Sequence, residues 1–139
     1  MTTPTKPDAA HRAYLLHHLH RFRRGMKEAV VGAKLAQTLT TAAGAEGLRL
    51  AYSERKVRRI VRAVRREKDP RHVIGSLPEG RDGARRGYFV CRSLAEAKRV
   101  SAHLWSRVRE QAETARDFDE AAARAFGLKQ MSVKFEEVG

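Results

Sequence analysis

A chain of 139 residues, 42% hydrophobic and 32% charged, is long enough to bury one core without disulfides or metal and too apolar for a disordered tail. Its net charge of +13 and sequence pI near 10.8 ask for a polyanionic partner, either nucleic acid or an anionic membrane surface. The lone Cys91 excludes an internal disulfide and a thiolate zinc site, and no apolar run reaches membrane-spanning length or forms a leader after Met1, so a soluble protein of the bacterial or host-cell cytoplasm is expected.

Residues 1–8, with Pro4 and Pro7, read as a flexible end. From Ala9 to Arg24 the pattern is helical, with Ala13, Leu16, Leu19 and Phe22 facing inward and Tyr14 and Leu15 beside them. His17, His18 and His20 crowd one turn without carboxylate or thiol support. At i, i+3 they offer two metal ligands at best, so neither a metal nor any other cofactor is expected. Gly25 breaks the helix. A second helix, Glu28 to about Leu39, carries Val30, Val31, Leu35, Ala36 and Leu39 as its apolar set, and residues 40–52, small and polar with Gly44 and Gly47, read as a turn.

The stretch Tyr52 to Lys68 has two faces at one helical period. Val57, Ile60, Val61 and Val64 fall at i, i+3, i+4 and i+7, the stripe of a helix that lies on a core. At about 100° per residue, Arg55, Arg59, Arg62 and Arg66 project from the opposite side, with Arg58 on the flank. Ser53 is placed as N-cap and Glu54 suits the first turn. Between Ser53 and His72 nine bases face only three acids, where a solvated surface helix mixes the two at i, i+4 spacing. Guanidinium forks on one exposed face suit phosphates and guanine edges, and a helix fits the major groove.

Asp69-Pro70 closes that helix. Residues His72 to Gly75 read as a short strand, SLPEGRDGARRG as a basic loop with Arg81, Arg85 and Arg86, and Tyr88 to Cys91 as the return strand of a hairpin. Ser93 and Glu96 have the spacing of a capping box. From Leu94 a three-four seam runs through Ala97, Ser101, Leu104, Val108, Gln111, Ala115, Phe118, Ala122 and Ala125, which reads as a long helix offering a weak coiled-coil seam or a first half, with Trp105, packed on its own domain. Gly127 ends it, and Met131, Val133 and Phe135 alternate as a strand would. Residues 1–92 hold 21 of the 29 bases and 8 of the 16 acids, whereas residues 93–139 hold 8 of each. The expected organisation is a basic binding module, residues 9–92, followed by a neutral packing or dimerisation element, residues 93–139.

The string SERKVRRIVRAVRRE, then HVIGS, then RGYFV resembles the DNA-binding domains of biotin-repressor and DeoR-type regulators, and is most similar to small winged-helix proteins of bacteriophages and prophages. The resemblance covers about Val30 to Arg109. It implies a mainly α fold with a small β-hairpin, a winged helix-turn-helix followed by a long C-terminal helix, in which Ser53 to Arg66 enters the major groove and Gly75 to Tyr88 is the wing. In that family the turn before the recognition helix has three or four residues, whereas 13 separate Leu39 from Ser53 here.

The expected function is therefore sequence-specific binding of double-stranded DNA, in transcriptional control or phage replication and recombination. Ser53, Arg55, Lys56, Arg58, Arg59, Arg62 and Arg66 form the recognition set, and Arg81, Arg85 and Arg86 lie on phosphate or in the minor groove. Two alternatives stay open: an adaptor that docks a polymerase or replisome protein through its C-terminal helix, and an RNA-binding protein with Tyr88 and Phe89 as stacking groups. For the second half of the C-terminal helix two outcomes stay open, a homodimer through residues 94–125 or a fold-back of Ala121 to Ala125 that carries Phe118 and Phe126 into the core, and no membrane partner is expected. No phosphate-binding GxxxxGK[ST] loop, paired carboxylates or Cys/His dyad is present, so no enzyme is expected.

Overall fold

In the computed structural model, which describes residues 6–78 and 86–127, seven elements follow one another. They are α1 (Lys6–Phe22), a 3-10 turn (Met26–Glu28), α2 (Gly32–Ala45), α3 (Glu54–Arg66), β1 (Ile74–Leu77), β2 (Gly87–Val90) and α4 (Leu94–Phe126). The chain divides into two compact units, Met1–Val100 and Ser101–Gly139. Three helices, a two-stranded antiparallel hairpin and a long helix are the layout of a winged helix. No described helix is long and apolar enough to cross a membrane.

The core of the first unit is what the apolar stripes predict, with local exceptions. Val57, Ile60, Val61 and Val64 of α3 are buried against Leu35 and Leu39 of α2 and Leu15, Leu16 and Leu19 of α1. Within α1 the buried set is shifted from the expected one: Ala13 and Phe22 are exposed, and Leu15 and His18 are buried instead. Burial drops the His18 pKa to about 4, so the ring is neutral near pH 7 and accepts from Arg23 Nε at 3.4 Å.

Val30 and Val31, expected inside the second helix, precede it. Val30 lies antiparallel to Tyr88, donating to its carbonyl at 3.0 Å and accepting from its amide at 2.8 Å, while Val90 bonds the backbone of Arg23 and Gly25. The segment between α1 and α2 thus touches β2 at two isolated bridges, parallel at Arg24 and Val90 and antiparallel at Val30 and Tyr88, on either side of the 3-10 turn. Leu77, Phe89, Ala29 and Val100 make a second small core beneath it, so the start of α4 belongs to this unit. The hairpin register pairs Ile74 with Val90 and Leu77 with Gly87, and β1 begins two residues later than His72.

Helix α2 also ends later than expected. It runs through the run of Thr and Ala to Ala45 because Ala43 is fully buried, and tertiary packing outweighs the weak local preference of those residues. A Schellman motif closes it: the amides of Leu48 and Gly47 donate to the carbonyls of Ala43 and Gly44, with Gly47 at φ 79°. The turn between α2 and α3 is therefore residues 46–53 and not 13 residues long.

The cap of α4 is a half-box. Glu96 N donates to Ser93 Oγ at 3.3 Å, but the Glu96 carboxylate accepts from the amides of Arg92 at 2.8 Å and Met26 at 3.1 Å, not from Ser93. That carboxylate ties the helix start to the 3-10 turn. Helix α4 spans 33 residues and ends at Gly127; the expected strand at Met131 to Phe135 lies outside the described residues.

Candidate nucleic-acid interface

Ser53 caps α3 as its sequence requires, its Oγ accepting from Lys56 N at 3.0 Å, and the turn before it is held by Tyr52, whose amide donates to Thr40 Oγ1 and whose hydroxyl donates to His11 O. With the valine and isoleucine stripe buried, the helix presents three strips of side chains, and they are not equivalent.

On the strip opposite the core, Arg55, Arg62 and Arg66 are exposed and make no ion pair with a described residue. Arg58, on the flank, reaches the Glu54 carboxylate one turn back at 4.0 Å, a contact between exposed groups that water largely screens. Arg59 is exposed too, but its Nη2 lies 2.8 Å from Asp8 Oδ2, and the same carboxylate is 3.9 Å from Lys56 Nζ. Residue 8, expected in a flexible end, is in α1.

The strip facing α1 consists of Lys56, half-buried against Asp8 and His11, and Glu67, which holds Arg12 at 2.6 Å. The strip facing the hairpin holds Arg65. Its Nε donates to Ile74 O at 3.0 Å and its Nη2 to Ser76 Oγ at 3.3 Å, and burial lowers its pKa. Arg65 therefore fastens α3 to β1 and is spent structurally, a role that its place beside the apolar stripe hinted at. Nothing in the sequence linked Asp8 to Arg59, 51 residues away.

Of the loop arginines, Arg86 is exposed at the base of the hairpin, while Arg81 and Arg85 lie outside the described residues. The three clustered histidines of α1 go separate ways: His17 is exposed, His18 is buried, and His20 Nε2 meets His72 Nδ1 at 2.9 Å. Among the described residues no three His, Cys, Asp or Glu side chains converge as a metal site.

The geometry is thus a helix of 13 residues with a row of guanidinium groups from Arg55 to Arg66, about 16 Å long at 1.5 Å per residue, flanked on one side by a basic hairpin. Compared with protein-family models, with curated proteins and with solved structures, the chain matches none.

Proposed function

We propose that the first unit binds double-stranded DNA, with α3 in the major groove and the hairpin on the flanking backbone. The observation that carries it is the unneutralised row Arg55, Arg62 and Arg66, with Arg58 and Arg59 beside it, on the free side of a helix whose other side is anchored in the core. Exposed guanidinium groups without acidic partners raise the local positive potential, and a duplex phosphate lattice is the ligand that relieves it with the release of counterions. Phosphate contacts give affinity, and forks aimed at guanine O6 and N7 give the sequence preference. In this assignment transcriptional control and phage replication or recombination are both served by the same contacts.

Gel-shift titration of the full chain against duplex DNA, structured RNA and single-stranded DNA at two salt concentrations tests the proposal. Duplex DNA is expected to bind tightest with a steep loss on added salt. RNA or single strands binding more tightly would overturn it. Changing Arg81, Arg85 and Arg86 to Ala should weaken all duplexes about equally and flatten the salt slope by about 0.9 for each phosphate no longer neutralised; an unmoved slope means that the hairpin does not touch DNA.

Asp8 predicts an effect in the opposite direction. Its carboxylate occupies Arg59 and approaches Lys56, where a phosphate would otherwise sit, so it competes with DNA for those cations. Asp8→Asn is expected to tighten binding roughly two- to fivefold on every sequence, the range of a partly exposed ion pair. Isothermal titration at fixed salt reads this; weaker or equal binding by the folded variant would show that Arg59 gains nothing when released.

A further inference from the structure

We propose that residues 101–126 of α4 pair with the same segment of a second copy of this chain, antiparallel. This does not depend on what α3 binds. Within the second unit no described side chain of the helix is buried, and a stripe that includes Leu104 (42% exposed), Trp105 (62%), Val108 (51%) and Phe118 (64%) is left to solvent. An apolar stripe at three-four spacing along a helix is the surface that another helix covers.

Charge selects the occupant and its direction. Residues 101–109 carry Arg107, Arg109 and His103 and no acid, whereas residues 110–120 carry Glu110, Glu113, Asp117, Asp119 and Glu120 against Arg116. The segment is therefore complementary to its own reverse. In an antiparallel pair with Val108 facing the partner's Phe118, the acid-free stretch 101–109 runs beside residues 117–125 of the second copy, a stretch that carries Asp117, Asp119 and Glu120 against Arg124. A parallel pair in register sets basic half beside basic half and acidic beside acidic, which costs affinity and selects against that arrangement.

Side-chain volume selects the same direction. With Val108 on the partner's Phe118, Leu104 falls on the partner's Ala122, Gln111 on the partner's Ala115 and Ser101 on the partner's Ala125. Every seam position from Ser101 to Ala125 is then used, and two of the four kinds of layer, Leu104 on Ala122 and Gln111 on Ala115, join a larger residue to a small one, while Phe118 is nowhere stacked on itself. The parallel register stacks Phe118 on itself and Ala on Ala at Ala115, Ala122 and Ala125, crowding one layer and leaving voids in the alanine layers.

Two exposed positions test this in the full chain with Cys91 retained. Ser101→Cys and Ala125→Cys are made separately, oxidised alone and as a mixture, and the disulfides are identified by peptide mapping. The expected result is a link from residue 101 of one chain to residue 125 of the other in the mixture and none between the new cysteines of either variant alone, because like positions lie about 36 Å apart in the antiparallel pair. Self-linked Ser101→Cys chains overturn the orientation. Sedimentation equilibrium is expected to give a dimer of the unmodified chain in the micromolar range, weakened about tenfold or more by Phe118→Asp. A monomer mass throughout overturns the pairing and leaves the stripe to a different partner.

Discussion

Replacing Arg55 and Arg62 together by Ala is expected to weaken binding to a preferred duplex by roughly 2–6 kcal/mol, taking about 1–3 kcal/mol for each arginine that reads a base. Both side chains are exposed, neither pairs with a described acid, and both point away from Val57 and Ile60, so the variant should fold with an unchanged thermal midpoint. Arg59→Ala should cost less, because Arg59 must first leave Asp8 before it contacts DNA. Arg65→Ala should act differently again. It removes the bonds to Ile74 O and Ser76 Oγ and so loosens the hairpin, lowering stability along with affinity. Fluorescence-anisotropy titrations beside thermal melts separate these outcomes. A folded Arg55/Arg62 double variant that binds like the parent chain would remove α3 from the interface.

The α3 helix was legible because every local signal agreed. The serine cap, the four-residue apolar stripe and the arginine strip share one period, and the structure keeps all three. The hairpin was legible from the alternation of short apolar runs about a glycine-rich loop, although β1 starts at Ile74 and β2 ends at Val90. Signals that depended on tertiary contact were not. Residues 40–45 look like a turn until Ala43 is placed in the core, and Val30 looks helical until Tyr88 offers it two backbone bonds. Glu96 was expected to bond its own cap residue but finds Met26, 70 residues earlier, a partner no spacing rule contains. Within the candidate site, the exposed arginines followed from periodicity alone. Their division into unneutralised, Asp8-held and hairpin-bound groups did not, because that depends on where α1 and β1 lie.

The largest loss of stability is expected from Gly87→Ala. Gly87 opens β2 at φ 115°, outside the conformations that L side chains adopt, and an added Cβ would fall within contact radius of the Val30 carbonyl and the Val31 amide. These are backbone atoms at the entry to α2, held by the two bonds between Val30 and Tyr88, so no rotamer change relieves the clash. Either the strained dihedral persists or residues 23–30 leave β2, and with them goes the base of the hairpin. Strain and overpacking together should cost about 3 kcal/mol or more of a total near 5–15 kcal/mol. Two other glycines separate the causes. Gly47 shares the positive φ, at 79°, but has open space around its Cβ position, so Gly47→Ala should cost only about 1 kcal/mol. Gly44, inside α2 and equally open, has neither problem, and Gly44→Ala should stabilise by about 0.5–1 kcal/mol. Urea unfolding of the three variants should therefore rank them Gly44→Ala above the parent chain, then Gly47→Ala, then Gly87→Ala well below. A Gly87→Ala midpoint equal to that of Gly47→Ala would mean that the close approach of β2 to Val30 is not maintained in solution, and the bridge between Val30 and Tyr88 would have to be abandoned.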